Sequence, residues 1–152
     1  RGIIQDTTAG LSQTGVNLLN VAMLEMIDLR DNRPTKTTKI LTNELQDKLT
    51  KSGKVKFVER RKLNKIIEEQ KFQRTGMVSD ATAVKIGGLV GAKYVIDSSL
   101  GVLDETSVIY VQVTNAENGN IVASASTRCR KCSDDILLES ITPLSSKIVS
   151  GR

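Results

Sequence analysis

Two cysteines with two residues between them are the first candidates for chemistry in this sequence. The motif Cys129-Arg130-Lys131-Cys132 lies between a predicted strand and the start of a predicted helix. There the helix dipole and nearby cations lower the pKa of a thiol, which favours thiol–disulfide exchange. No Trp precedes the motif and it lies near the C-terminus, so we predict instead a structural disulfide between Cys129 and Cys132. A thiol oxidoreductase, a zinc half-site completed in an oligomer and a pair of free thiols stay open as alternatives.

A group of cations at the start of a predicted helix is the second candidate, as a binding surface. They precede the acidic pair Glu68-Glu69, so the charges of this helix oppose its dipole. Residues 30–74 hold 14 Lys and Arg against 6 Asp and Glu, and the remainder holds 8 against 11. Such a block fits nucleic acid, an acidic membrane surface or an acidic protein, or its charges pair with acids on neighbouring elements. Because few aromatic residues accompany it, we predict a protein-binding surface rather than a nucleic-acid one. The cations are Arg60, Arg61, Lys62 and Lys65.

The composition excludes most enzyme chemistry. The 152 residues contain no His and no Trp, and aromatic residues make up 3%. Without His, neither a Ser-His-Asp triad, a Cys-His pair nor a His-based metal site can be built. The neighbouring carboxylates at 104–105 and 134–135 are not held across a cleft, and the glycines at 87–91 lack the Lys-Ser/Thr of a phosphate loop. We therefore predict a protein that is not an enzyme and holds no cofactor or metal.

These candidates must be positioned by a series of strands and helices. Alternating or continuous apolar runs predict strands, and apolar residues at intervals of three and four predict helices. The order β-α-β-α-α-β-β-β-α predicts an α/β fold, with a mixed sheet of four to five strands covered by helices. The predicted strands cover 21–29, 55–58, 93–102, 107–113 and 121–127, and the predicted helices cover 35–51, 61–72, 81–90 and 134–150.

The chain length suits a single domain. Residues 1–16 are expected to be a lead-in with a weak helix at most, and residues 17–152 to form one α/β domain. Its C-terminal amphipathic helix, 134–150, contains Pro143, which should kink or restart it because proline has no backbone N–H. The last three strands are joined tightly, with Asn118-Gly119 as a hairpin signal, and should form an antiparallel meander.

The stretch around the basic helix resembles a known family. The string Phe57-Val58-Glu59-Arg60, followed by Leu63, Ile66 and Glu68-Glu69-Gln70, is similar to the "vvER–L–il–EQ" signature of the CsgG-like family. The glycine-containing stretch 81–96 resembles that family's next conserved stretch. The segments 21–26 and 111–121 resemble its first strand and its hairpin. The resemblance covers residues 20–127.

The resemblance implies a location and a function. The CsgG-like family comprises bacterial outer-membrane-associated lipoproteins that face the periplasm: the curli secretion channel, activator lipoproteins of peptidoglycan synthases and flagellar accessory proteins. It therefore implies a non-enzymatic periplasmic interaction domain acting in envelope assembly or secretion, in oxidising surroundings. The implied partner is an envelope protein or further copies of the chain, not nucleic acid. Membrane contact is expected through a lipid-attached Cys that follows a signal peptide, upstream of Arg1. A ring-forming subunit of a secretion channel and a thiol oxidoreductase are the alternative functions.

Overall fold

Seven strands and four helices make up most of the computed structural model, which describes residues 3–9, 18–70 and 78–150. The first half contains short strands between helices, and the second half contains three ten-residue strands followed by the longest helix. In chain order the elements are β1 (Ile3–Ala9), β2 (Leu18–Met23), β3 (Ile27–Asp28), α1 (Lys36–Lys51), β4 (Val55–Phe57), α2 (Arg60–Gln70), α3 (Asp80–Val90), β5 (Tyr94–Leu103), β6 (Thr106–Asn115), β7 (Ile121–Arg130) and α4 (Asp134–Ser150).

The strands form one mixed sheet in the order β1-β7-β6-β5-β2-β4, and β3 also pairs with β5. Strand β5 joins the two halves, because it pairs in parallel with β2 and β3 and antiparallel with β6. The predicted α/β fold with a mixed sheet covered by helices is confirmed, as is the antiparallel meander β5-β6-β7. The sheet has seven strands among the described residues, against the four to five predicted.

The two extra strands have different causes. The predicted strand 21–29 is divided into β2 and β3, and between them the backbone N–H of Met26 leaves the sheet to donate to Thr42 Oγ1 of α1, at 2.8 Å. The expected weak helix in the lead-in is wrong for residues 3–9, which form β1. This strand pairs antiparallel with the outer edge of β7, from Ile3 opposite Arg130 to Ala9 opposite Ser124. It thereby satisfies backbone groups that β7 would otherwise leave unpaired; residues 10–16 lie outside the described part.

Helices cover the sheet on two faces. On one face α1 and α4 pack against the centre of β5, β6 and β7, and on the other α2 and α3 pack against β2 and the first half of β5. The first core contains Leu41, Leu45 and Leu49 of α1, Ile141, Leu144 and Ile148 of α4, and Ile109, Val111 and Val113 of β6. The second contains Leu63 of α2, Ala83, Ile86 and Val90 of α3, Leu24, Val95 and Ala116.

The helix starts agree with the capping residues in the sequence, but the expected interruption inside α4 is not found. Thr35 caps α1 through its side chain, and Ser79 caps α3 in the same way. The expected restart at Pro143 is wrong, because α4 continues through this residue to Ser150. Its neighbours Ile141 and Leu144 are fully buried, so packing against α1 and β7 holds the helix where local preference would interrupt it.

Candidate functional site

Helix α2, which carries the predicted binding cations, is held to the domain by one narrow apolar side. Leu63 is 1% exposed, and Ile66 and Ile67 are half-buried beside it against the α3 core. Because these residues recur at intervals of three and four, they share one side of the helix. Most of the remaining surface of α2 faces solvent, so its charges are available to a partner.

Arg60 departs from the other predicted cations. It is half-buried and its Nη2 donates to Oε1 of Gln46 on α1. Burial lowers the pKa of the Arg60 guanidinium from its ordinary value, opposed by attraction to Glu25. The side chain therefore fastens the start of α2 to α1, and the surface that α2 offers does not include it as a free charge.

The three other cations, Arg61, Lys62 and Lys65, are exposed, and we call them the α2 basic face. Lys65 Nζ lies 4.0 Å from Glu69 Oε1, an exposed pair of the kind that adds little stability. The helix has no acid in its first turn and no base in its last. Its charges therefore do oppose its own dipole, and their placement has no stabilising effect on the helix itself.

The two cysteines lie at the junction of β7 and α4. Cys129 is fully buried in the core, whereas Cys132 is half-buried and its Sγ lies 3.4 Å from the carbonyl oxygen of Arg130. The structure pairs them with Cα atoms 5.7 Å apart, a normal span for a disulfide. A reactive thiol needs partial exposure, and the first Cys of this motif has none, which disfavours the thiol oxidoreductase. The structural disulfide stays a prediction.

The remaining sequence candidates are structural. An added Cβ at Gly87 would meet the side chain of Ala116, and Gly91 has a φ of 73° at the end of α3. The glycines at 87–91 thus permit close packing and a sharp turn. Glu105 Oε2 forms ion pairs with Arg130 Nη2 and Lys131 Nζ, each at 3.8 Å, and the acids at 134–135 lie in the first turn of α4. Among residues 3–9, 18–70 and 78–150 no three His, Cys, Asp or Glu side chains come together as a metal site.

Sequence reasoning missed an exposed apolar area at the β5–β6 hairpin. Leu103 is 76% exposed and Leu29 is 44% exposed, and Val108 lies beside them in the same shallow groove. We call this area, together with Gly101, the hairpin patch. Its sequence signal is weak, because apolar residues at strand ends look the same whether a helix covers them or not.

None of the described helices is long and apolar enough to cross a membrane.

A family model described as "Peptidoglycan-synthase activator LpoB" matches residues 36–123, from the start of α1 into β7. The chain belongs to the LpoB family. This match narrows the resemblance expected from the sequence: the synthase activators are supported, and the CsgG-like family as a whole is not. No curated protein matches the chain.

Solved structures share the fold of this LpoB-family chain. The NMR structure of E. coli LpoB has a TM-score of 0.60 at 19% identity, covering 76% of this chain and 59% of LpoB. The C-terminal domain of LpoB from Escherichia coli has a TM-score of 0.59 at 20% identity, covering 75% of this chain and 84% of that domain. The PelC dodecamer from Paraburkholderia phytofirmans has a TM-score of 0.54 at 14% identity, covering 99% of this chain and 96% of the PelC chain. The chain thus spans a little over half of full LpoB and most of its C-terminal domain.

Proposed function

We propose that this domain is the periplasmic part of an outer-membrane lipoprotein and that it activates a peptidoglycan synthase by binding it, without catalysing a reaction itself. The observation that carries the proposal is membership of the LpoB family, whose model spans the helices α1, α2 and α3 and the strands β4, β5 and β6. The sequence contains no His, so it lacks the residue on which Ser-His-Asp and Cys-His catalysis depends, and this composition favours a binding role.

The α2 basic face is our candidate for the surface that the synthase contacts. It presents three exposed cations whose placement has no stabilising effect on the helix itself. Charges of this kind steer an acidic partner and raise the rate of association. Arg60, although predicted with them, is assigned to fastening α2 on α1.

The proposal is tested by adding the purified protein to a peptidoglycan synthase of the same organism and following glycan polymerisation from its lipid-linked precursor. We expect the wild type to bind and to accelerate polymerisation. Exchanging Arg61 and Lys65 for Glu should weaken binding about tenfold at low salt, and less at high salt, as expected for steering charges. A wild type that neither binds nor accelerates any synthase of that organism would refute the proposed function.

A matched control reverses the same number of charges elsewhere. Lys36 and Lys39 are exposed on α1, so exchanging both for Glu changes the net charge equally and leaves α2 intact. The melting temperature of the Arg61/Lys65 variant should stay within about two degrees of wild type, since exposed charges contribute only tenths of a kcal/mol. A large loss of stability would mean that these side chains are structural.

A closed ring of identical subunits is a second candidate. It is supported by the PelC dodecamer, whose similarity extends over nearly the whole of both chains, whereas the LpoB structures match about three quarters of this one. Native mass spectrometry tests it. A monomer at high concentration would contradict the ring, and a single closed oligomer would support it.

The location belongs to the same proposal. A lipoprotein anchored in the outer membrane would place this domain in the oxidising periplasm, where a disulfide between Cys129 and Cys132 persists. The precursor should then carry a signal peptide and a lipid-attached Cys upstream of Arg1. Labelling of the full-length protein with a radioactive fatty acid in cells tests the anchor, and the absence of label would refute it.

A further inference from the structure

The hairpin patch lies on a part of the sheet that no described helix covers. Along β5 the side chains alternate between the two faces. Val95 packs under α3, and Gly101 and Leu103 lie on the same face at the far end of the strand. Val108 of β6 is opposite Gly101 in the ladder, and the end of β3 brings Leu29 alongside. Of the described helices, α2 and α3 cover the Val95 end of this face, and Leu103 at the other end is 76% exposed.

The open area is a groove rather than a flat surface. Its volume is about 420 Å³, and it is lined by Leu29, Arg30, Gly101, Val102, Leu103 and Val108. Gly101 has no side chain at its floor, where an added Cβ would lie 3.4 Å from Leu29 Cδ1. A groove of this shape accepts one or two apolar side chains of a partner, and two strongly exposed leucines gain most from being covered.

Cations border the groove. Arg128 is opposite Val108 in the β6–β7 ladder and is exposed. It lines a second depression of about 590 Å³ with Arg130 and the β5–β6 turn. Arg30, on the other side, is held by the buried carboxylate of Asp28 at 2.8 Å. The acids of this rim are Asp104 and Glu105, and Glu105 is already shared between Arg130 and Lys131. Arg128 is therefore the cation best placed to bind a carboxylate from outside.

We propose that the hairpin patch is a second docking site, which takes an acidic segment of the peptidoglycan synthase that carries an apolar side chain. The apolar side chain fills the groove between Leu29 and Val108, and the carboxylate pairs with Arg128. An acidic occupant fits better than a second copy of this chain, because a second copy brings the same arginines, Arg30, Arg128 and Arg130, to the contact. This inference rests on the proposed function and adds a contact separate from the α2 basic face.

The experiment measures the dissociation constant of the synthase for single variants of the full chain. Leu103→Ser and Arg128→Glu should each weaken binding about tenfold, which corresponds to about 1.4 kcal/mol. The controls are Ile121→Ser, also an exposed apolar residue of the sheet at 54%, and Lys39→Glu on α1. Both should bind within twofold of wild type. Because Leu103 and Arg128 are exposed, all four variants should keep the melting temperature.

The outcomes separate the two proposals. If wild type binds and both hairpin variants bind equally well, the docking site is refuted and the proposed function stands. If wild type does not bind, both are refuted. If wild type is a dimer in sedimentation and Leu103→Ser makes it a monomer, the patch joins two copies and an acidic segment is not its occupant. If the hairpin patch and the α2 basic face are independent sites, the losses of binding free energy caused by Leu103→Ser and by the Arg61/Lys65 exchange should add in the combined variant.

Discussion

Gly87 and Gly88 are neighbours in α3 for which we expect opposite responses to the same substitution. An added Cβ at Gly87 would overlap the Cβ of Ala116 and lie 2.9 Å from the carbonyl oxygen of Ala92. At Gly88 the same atom would meet nothing within 4 Å. Both residues have helical backbone angles and neither is near a helix start. The pair therefore isolates the effect of packing from that of helix preference.

The magnitudes follow from two terms. Alanine is favoured over glycine inside a helix by about 1 kcal/mol, so Gly88→Ala should stabilise the protein by up to about that amount. At Gly87 the same gain is opposed by overpacking of about 3 kcal/mol, the upper part of the usual range, because the obstacles include backbone. The net loss of about 2 kcal/mol corresponds to a fall in melting temperature of about 4–8 °C for a domain of this size.

Urea denaturation followed by circular dichroism measures both variants. A Gly87→Ala protein as stable as wild type would refute the close packing of α3 on the β6–β7 turn. A destabilised Gly88→Ala protein would refute the open position of its neighbour. The double variant Gly87→Ala/Ala116→Gly removes the main obstacle and should regain part of the lost stability, since residues in contact couple in such cycles. Strict additivity would contradict the contact.

Two further predictions concern buried groups. Hydrogen bonds from Arg30 lower the pKa of Asp28 below its ordinary value of 3.8, so its stabilising effect is full above about pH 4 and is lost as the pH falls through the lowered pKa. Asp28→Asn should therefore lose about 1–3 kcal/mol at pH 7 and show a weaker acid dependence below pH 4 in urea titrations; an unchanged acid dependence would contradict this. Denatured, air-purified protein should show no free thiol with a thiol reagent if Cys129 and Cys132 are bonded, and reduction should cost about 2 kcal/mol or less because the loop is short. Two titratable thiols would exclude the disulfide.

The sequence predicts the elements that carry their own pattern. Helix α1 is visible in Leu41, Leu45 and Leu49, which recur every fourth residue, and all three are fully buried. The meander is visible in the alternation along β6, where Ile109, Val111 and Val113 face the core. In these elements local spacing and tertiary burial agree, so the pattern is sufficient.

Other features depend on partners that lie far away in the sequence. Residues 3–9 have no alternating apolar pattern, and they form a strand because the edge of β7 is there to pair with. In the sequence Arg60 cannot be told from the neighbouring cations, because its different role depends on a hydrogen bond that it donates to Gln46 of α1. The exposure of Leu103 depends on how far α3 extends over the sheet. Each is fixed by which elements meet, and neither composition nor spacing contains that information.

The pairing of β1 with β7 also affects the order of folding. Ile3 and Arg130 are opposite each other in the ladder, although nearly the whole chain separates them. A contact that closes so long a loop forms late, whereas the hairpins β5–β6 and β6–β7 close short loops and form early. During synthesis β1 is made first and cannot pair until β7 has been made. Its backbone N–H and C=O groups therefore stay unpaired for the longest time. We expect this strand to exchange its amide protons fastest and the meander to exchange slowest.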